Sequence, residues 1–177
     1  MDEQSLAQHF RGFMSDYVTG VTVVTTLDAQ NRPHGLTCTS LVSVTLAPPT
    51  LLVCLDVRSG TRAAIGDRGV FAVNLLREDG QRVAELFAGP EPDRFGRVSW
   101  RPSPRTGLPW LAADAHAMAE CRVTQTAVVG DHAVVFGTVV HVERAPGHPL
   151  LYGMRAFCGV RGGEEAALAP AARRAPA

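Results

Sequence analysis

The sequence predicts a mainly β protein, a barrel or a sandwich, with two or three short helices. Three observations predict this fold class. Six or more segments are short, rich in β-branched residues and separated by turn-forming residues. Two of them flank Gly130-Asp131, a dipeptide typical of hairpin turns. The strands follow one another in mostly local order instead of alternating with long helices, which favours a barrel or a sandwich.

The first part of the chain predicts one helix and then three strands. Apolar residues recur at helical spacing over residues 5–18, which indicates an amphipathic helix. The run VTVVTTL, residues 21–27, has the β-branched composition of a strand. Residues 35–46 predict a single strand that ends before Pro48-Pro49, because proline cannot donate to a sheet. TLLVCLDV, residues 50–57, is a continuous apolar run typical of a strand buried on both faces.

Two short helices with a strand between them come next. Ser59 is the predicted N-cap of a helix over residues 60–67, since serine side chains accept from free N–H groups in the first helical turn. VFAVNLL, residues 70–76, predicts a strand. Asp79 is the predicted N-cap of a second helix near residues 80–87.

The remaining chain predicts a long loop, a hairpin and a tail. Residues 88–114 are rich in proline and glycine, so we expect a loop with at most one short strand, and such loops are often functional. Residues 116–129 and 132–145 predict two long strands around the hairpin dipeptide. Residues 161–177 have the composition of a disordered tail, which leaves one domain over residues 1–160.

Composition and charge exclude several function classes. Of 177 residues, 17 are basic and 17 acidic, and this balance argues against nucleic acid or an anionic membrane as a partner. Every basic residue is arginine, so the sequence excludes Schiff bases and the Walker lysine. The chain has neither an apolar run of membrane-spanning length nor a signal-peptide pattern, and we expect a cytoplasmic protein.

The common catalytic patterns are also missing from the sequence. It contains no G-x-S-x-G, no H-E-x-x-H and no G-x-G-x-x-G. Four widely spaced cysteines fit neither a zinc site nor a disulfide scaffold, and no metal site is predicted: Cys38, Cys54, Cys121 and Cys158. If the protein is an enzyme, we expect it to use the chemistry of a cofactor rather than an acid–base set of its own.

Two segments have features suited to a phosphate-bearing cofactor. Arg58, Ser59 and Thr61 stand at a predicted helix start directly after a strand, where free N–H groups and the helix dipole favour an anion. The alternative there is an ordinary N-cap. Small hydroxyl residues at a strand end leave the backbone open to a planar ligand in the run Thr37-Cys38-Thr39-Ser40. The alternative for that run is an ordinary strand with surface threonines.

Several segments, taken in order, resemble the short-chain flavin reductase family, the reductase components of two-component flavin monooxygenases. They are GVTVVTT, GLTCTSLVSVTLAPPTLLVCLDVRSGT, FAVNLL, FAG, DRF, GDH, VVFGTVV and PLLYGMRAF, within about residues 10–158. The resemblance implies an FMN-binding split β-barrel of Greek-key topology that forms a homodimer. It also implies NAD(P)H:flavin oxidoreduction by hydride transfer between cofactors, without a catalytic residue of the protein, and delivery of reduced flavin to a separate monooxygenase.

The resemblance further implies the residues that bind each cofactor. Thr37, Cys38, Thr39 and Ser40 would line the edge of the isoalloxazine, and Arg58, Ser59 and Thr61 would face the flavin phosphate. A loop over the flavin would begin at Phe87, Ala88 and Gly89 and continue through Arg94 and Phe95. His132 would contact the nicotinamide nucleotide, and Tyr152 and Phe157 would close its pocket.

Some properties stay open at the level of sequence. The family usually has an arginine-glycine-x-tyrosine pattern after the position of Tyr152, whereas this chain has GMRAF with Phe157 at the tyrosine position. The flavin is either FMN or FAD, and the reductant either NADH or NADPH. Two alternative functions remain, namely a flavoprotein of the same fold that acts on an organic substrate with bound FMN, and a flavin-binding protein without turnover.

Overall fold

A computed structural model describes residues 2–160 of the protein, and the predicted disordered tail, residues 161–177, lies outside them. No helix in this described part is both long and apolar enough to cross a membrane. The elements, in chain order, are α1 Glu3–Ser15, β1 Thr19–Gly20, β2 Thr22–Leu27, β3 Pro33–Cys38, β4 Val42–Leu46, β5 Pro49–Asp56, α2 Gly60–Arg68, β6 Val70–Leu76, α3 Gln81–Ala88, a 3-10 turn Phe95–Arg97, β7 Arg101–Pro102, β8 Pro109–Trp110, β9 Ala115–Val129, β10 His132–Arg144, β11 Leu150–Gly153 and β12 Ala156–Gly159.

Seven strands form one antiparallel sheet in the order β3-β2-β6-β9-β10-β5-β4. The two edge strands, β3 and β4, are consecutive in the chain, so the sheet curls until its edges meet but does not close by strand pairing. Ser40, between them, accepts a hydrogen bond from the Cys54 N–H (2.8 Å) and donates one to the Cys54 carbonyl (3.1 Å). The mainly β prediction is confirmed, and this open barrel agrees with the predicted split barrel.

The concave face of the sheet encloses the main core. Side chains from five strands meet Ile65 of α2 there: Val24, Val53, Leu55, Phe71, Val73, Cys121, Ala133 and Val135. Gly137 of β10 allows this packing, because a Cβ at that position would lie 2.6 Å from the ring of Phe71. The core therefore depends on strands that are far apart in sequence.

The convex face of β2 and β6 is covered by α3, β11 and part of the long loop. Val23 and Leu76 of the sheet pack there against Phe87 of α3 and Leu150 of β11. All six residues of β2 are consequently buried. The prediction that β5 is the doubly buried strand is wrong, because nothing in the described chain covers its convex face and only Val53 and Leu55 are buried.

Three threonines make β2 suitable for burial on both faces. Their hydroxyls donate to backbone carbonyls, Thr22 to Cys38 (2.7 Å), Thr25 to Pro109 (2.7 Å) and Thr26 to Val70 (2.8 Å). A buried hydroxyl without a partner costs about 1–3 kcal/mol, so these bonds remove the main penalty of placing polar side chains in the core.

Most element predictions are confirmed, with shifted ends. Ser59 caps α2, where its side chain accepts the N–H of Arg62 (3.4 Å), and Gly130, at φ 60°, turns the predicted hairpin. Asp79 is not the cap of α3, since Gly80 holds that position without a side-chain bond. The strand predicted over residues 35–46 is broken, because β3 ends at Cys38 and β4 begins at Val42.

The proline-rich segment 88–114 contains more structure than predicted. It holds the 3-10 turn and the small β7–β8 hairpin instead of at most one strand. Buried polar groups of the sheet fix it in place. The side-chain oxygen of Asn74 accepts the N–H of Leu111 (2.9 Å), and Thr25 reaches the carbonyl of Pro109.

Glu120 anchors the same segment with a fully buried carboxylate. It accepts hydrogen bonds from the Ser103 hydroxyl (2.5 Å), from the backbone N–H (2.7 Å) and hydroxyl (2.5 Å) of Thr106, and from the N–H of Arg105 (3.2 Å). Burial raises the pKa of Glu120, but these donors outweigh it and hold the pKa below the usual 4.5. The carboxylate is thus stabilised by neutral donors rather than by a cation.

Replacing Glu120 with Gln should lower the free energy of unfolding by about 3 kcal/mol, because the charge-assisted bonds are lost and the amide NH₂ would face the backbone N–H of Arg105, which cannot accept. For a domain of this size we expect the Tm to fall by roughly 6–12 °C in thermal melts at pH 7. Glu143→Gln is the control, since that partly exposed carboxylate bonds only to His141 and its loss should cost under about 1 kcal/mol.

The pH dependence of the stabilisation by Glu120 follows from the lowered pKa of this carboxyl group. The stabilisation by Glu120 is complete above about pH 4.5 and is lost as the pH falls through the lower folded-state pKa. The Tm difference between wild type and Glu120→Gln should therefore shrink on going from about pH 5 to pH 3. Equal Tm values at pH 7 would contradict the anchoring role.

Candidate functional site

An open groove runs beside β3, between the start of α2 and the end of α3. Its wider part, about 690 Å³, is lined by Leu36, Thr37, Asp56, Arg58, Ser59, Gly60, Thr61, Phe87, Ala88 and Arg94. A more apolar part of about 400 Å³ shares Thr37 and Ala88 with it and adds Val21, Thr39, Glu85, Gly89, Tyr152 and Phe157. One continuous groove thus brings together most of the predicted site residues.

The start of α2 forms one end of the groove. Ser59 caps the helix, and Gly60 and Thr61 are its first two residues. The N–H groups of a first helical turn have no partner within the helix, and they carry the positive end of the helix dipole. This end of the groove is therefore suited to a phosphate group.

Arg58 is positioned by an ion pair with Asp56. One carboxylate oxygen accepts the backbone N–H (2.8 Å) and Nε (3.1 Å) of Arg58, and the other accepts Nη2 (2.8 Å). These hydrogen bonds and the positive charges of Arg58 and His132 lower the pKa of Asp56 to about 2. The sequence predicted Arg58 to be a free donor to a phosphate. In the structure its guanidinium is 82% exposed but is already paired with the carboxylate of Asp56.

The run Thr37-Cys38-Thr39-Ser40 divides between two surroundings. Thr37 and Thr39 line the groove, and the Thr37 hydroxyl donates to the carbonyl of Ala84 (2.6 Å). Cys38 points into the core, where burial raises the pKa of its thiol, and Ser40 bonds to the backbone of Cys54. The difference from the prediction follows from the alternation of side chains along a strand.

The predicted loop over the flavin begins as a helix. Phe87 and Ala88 belong to α3 and Gly89 is its C-cap. Phe87 is buried, and Phe95 packs against it edge to face with ring centroids 5.0 Å apart. Phe95 therefore packs behind Phe87 and does not line the groove. It lines a neighbouring recess.

Arg94 closes one side of the groove. Its Nη1 donates to the carbonyl of Gly35 (3.0 Å) and its Nη2 to that of Gly89 (2.5 Å). Its Nε is shielded from solvent and has no hydrogen-bond partner within residues 2–160. A buried donor of this kind is costly unless a ligand or water satisfies it.

The structure separates the residues predicted for the nicotinamide nucleotide. His132 begins β10 opposite Asp56, near the α2 end of the groove, and its Nδ1 lies 2.7 Å from the carboxylate of Asp131. Tyr152 and Phe157 face each other across β11 and β12, with ring centroids 5.0 Å apart, at the apolar end. Within one described chain these residues do not form a single pocket.

Sequence reasoning missed His116, which lies in a β-bulge. Leu75 pairs with Ala117 and Leu76 with Ala115, so the residue between is left outside the ladder. Its imidazole lines a cavity of about 370 Å³ that shares Val21 and Thr39 with the groove. Burial and neighbouring positive charges lower the pKa of His116. A bulge has no signature in the residue pattern, so no sequence signal marked this histidine.

Comparison with known proteins assigns the chain to a family. Residues 14–161 match the family described as flavin reductase like domain. The chain belongs to this family. It is 55% identical over 151 residues to the flavin reductase (NADPH) of Lentzea aerocolonigenes, covering 85% of this chain and 88% of the relative. It is also 45% identical over 150 residues to the flavin reductase (NADH) of Kitasatospora aureofaciens, covering 84% and 78%.

Solved structures of flavin reductases and related components share the fold. A homologue of nitrilotriacetate monooxygenase component B from Mycobacterium thermoresistibile is 34% identical with a TM-score of 0.85, covering 98% of this chain and 95% of that one. A Streptomyces globisporus NADH:FAD oxidoreductase, solved with NAD and FAD fragments, is 31% identical with a TM-score of 0.82, covering 94% and 98%. The predictions of the family and of an oxidoreductase that reduces flavin are confirmed.

Proposed function

We propose that this flavin reductase oxidises NADH or NADPH, reduces FMN or FAD in the groove beside β3, and passes the reduced flavin to a separate monooxygenase. The observation that carries the proposal is the polarity of the groove. Its α2 end offers free N–H groups and Arg58, and its other end is walled by apolar and aromatic side chains. A flavin has the same division between a phosphate and a planar ring.

The residues at the α2 end would hold the flavin phosphate. The N–H groups of Gly60 and Thr61 point along the helix axis, and Arg58 stands directly before them. Asp56 competes with the phosphate for Arg58, because it already occupies the Nε and Nη2 edge of the guanidinium and offsets its positive charge. The flavin would thus bind less tightly than it would to an unpaired Arg58, which suits an enzyme that releases its product.

The other residues of the groove would hold the rings. Thr37 and Thr39 present small side chains, so the backbone of β3 stays open to a planar edge. Once both cofactors are bound, the nicotinamide supplies the hydride and the flavin accepts it, which requires no acid or base from the protein. Tyr152 and Phe157 would lie beside the nicotinamide ring, with His132 at the phosphate end of the same groove.

Relatives support a separate monooxygenase as the partner. One curated relative is the reductase subunit of a flavin-dependent monooxygenase from Rhodococcus jostii, 34% identical over 154 residues, which cover 86% of this chain and 77% of the relative. Within residues 2–160 the groove is open to solvent, which suits the release of a bound flavin to such a partner.

Exposed apolar surfaces support a homodimer. The helix α1 buries none of its residues, and its apolar stripe is open to solvent in the single chain: Leu6, Phe10, Phe13, Met14. The edge strand β4 exposes Val42, Val44 and Leu46 as well. A second copy that covers these surfaces would remove a large apolar area from water.

Turnover with free flavin is the direct test of the function. Purified protein mixed with NADH or NADPH and excess FMN or FAD should consume many equivalents of the nicotinamide cofactor, followed by its absorbance. The same mixture without flavin is the control. Oxidation of a single equivalent would indicate a flavoprotein that acts on another substrate. Flavin binding without oxidation would indicate a binding protein and contradict the proposal.

Arg58 and Asp56 should affect flavin affinity in opposite directions. Arg58→Ala removes a charge-assisted phosphate contact, so we expect the flavin Kd to rise about tenfold while kcat at saturating flavin changes little. Asp56→Asn removes the competing anion, so its flavin Kd should equal or fall below that of wild type. Quenching of flavin fluorescence measures both. Equal losses in the two variants would show that the ion pair serves the fold and not the ligand.

The oligomeric state can be tested on the same apolar surfaces. Light scattering should give twice the chain mass of 18.9 kDa for the wild type at micromolar concentration. A Phe13→Glu and Leu46→Glu double variant should shift toward the monomer, because these side chains are 72% and 84% exposed in the single chain. Gln4→Glu, on the same helix, should leave the dimer intact. A monomeric wild type would contradict the homodimer.

A further inference from the structure

A second recess, of about 420 Å³, adjoins the groove on the far side of Arg94. It is lined by Arg32, Pro33, His34, Gly35, Pro92, Asp93, Arg94 and Phe95. Arg94 belongs to both spaces, so the recess continues the groove beyond its phosphate end. Neither Arg32 nor His34 has a role in the function proposed above.

Asp28, at the end of β2, orients both of these basic side chains. One carboxylate oxygen accepts the N–H groups of Gln30 (2.9 Å) and Arg32 (2.8 Å). The other accepts Nε of Arg32 (2.8 Å) and lies 3.2 Å from Nε2 of His34. Burial raises the pKa of Asp28, but these hydrogen bonds outweigh it and hold the pKa well below its usual range. The anion that positions them therefore persists at neutral pH.

The β2–β3 turn does not need these two side chains. Two backbone hydrogen bonds close it, from Asp28 N–H to the Arg32 carbonyl and from Asn31 N–H to the Asp28 carbonyl, each 3.0 Å. The contacts of Asp28 with the Arg32 guanidinium and the His34 ring are additional. These contacts hold the two groups in one orientation before a ligand binds. Less side-chain entropy is then lost on binding, as in other pre-organised sites.

Arg32 keeps free N–H groups beside the recess, and the free ring nitrogen of His34 lies where the recess meets the start of α2. The Arg32 side chain is 72% exposed, and among residues 2–160 it donates only from Nε and Nη2. Because a carboxylate only accepts, Nε2 of His34 carries the donated hydrogen. Its Nδ1 lies on the side of Gly60, 3.6 Å from where a Cβ there would be, and it donates to an anion only when the imidazole is protonated. Asp93 also lines the recess, and one of its oxygens accepts the N–H of Gly96 (3.0 Å).

We infer that this recess is a second phosphoryl site, which takes a phosphate attached to an adenosine. The inference rests on the proposed function, in which α2 and Arg58 take the phosphate next to the flavin ribityl chain. Two substrates of a flavin reductase carry a further phosphate of this kind, FAD at its adenylate half and NADPH at its 2′ position. Because the chain has no net charge, such an anion can be attracted only by local groups. The basic side chains of Arg32 and His34 beside the groove provide this local attraction.

The test compares ligands that differ only in the adenosine-linked phosphate. Arg32→Gln, His34→Gln and the double variant are titrated with FMN and with FAD, followed by flavin fluorescence. Their KM values for NADH and NADPH are then measured at saturating FMN. We expect one ratio to change about tenfold, either the Kd of FAD over that of FMN or the KM of NADPH over that of NADH. The ratio that changes identifies the source of the phosphate.

Controls separate this inference from a failure of folding or of the proposed function. Arg122→Gln, an exposed arginine of β9 outside both spaces, should leave both ratios at wild-type values. Thermal melts should show the Arg32 and His34 variants folded at the assay temperature with only a small loss of Tm, because the turn keeps its backbone bonds and Asp28 keeps the N–H groups of Gln30 and residue 32. Unchanged ratios, or equal loss of FMN and FAD affinity, would overturn the second site. Absence of turnover in the wild type would instead overturn the proposed function, while the flavin titrations still test the recess.

Discussion

The burial of β2 on both faces is the constraint on which the rest of the structure depends. On its concave side the strand contributes Val24 to the barrel core, and on its convex side Val23 packs under α3 and β11. A strand in this position has no solvent to satisfy its polar groups, so Thr22, Thr25 and Thr26 bond to three separate segments of backbone. These bonds fix β3, the long loop and β6 relative to one another, and the groove lies where β3 and α3 meet.

The sequence was informative wherever a signal is local. The hairpin at Gly130, the Ser59 cap and the strand β6 follow from residues that are close in sequence, and the structure shows each of them. It was less informative where partners are distant. Which strand is buried twice depends on α3 and β11, and neither is visible from the residues of β2 or β5. Apolar runs alone therefore favoured β5, whose convex face is open in the single chain.

In the candidate site too, the sequence was more informative about which residues take part than about their spatial partners. Motif resemblance found residues from β3, α2, α3 and β11–β12 that line one groove, although they are up to about 120 positions apart. It did not find Asp56 as the partner of Arg58, nor the direction of Cys38 into the core, because these depend on register and rotamer. Asp28 and His116 were missed for a related reason. The surroundings of Asp28 are formed by a turn and those of His116 by a β-bulge. Neither feature has a recognisable motif in this sequence.

The ion pair between Asp56 and Arg58 has a kinetic consequence. If the flavin phosphate binds at Arg58 as proposed, the carboxylate of Asp56 is within reach of the guanidinium when the phosphate leaves, so the charge of Arg58 keeps a partner. The exchange of one anion for another would thus lower the barrier to dissociation of the flavin proposed to bind there. A short residence time of the reduced flavin suits its proposed transfer to another protein, and in this chain it would come from an anion fixed beside the binding arginine.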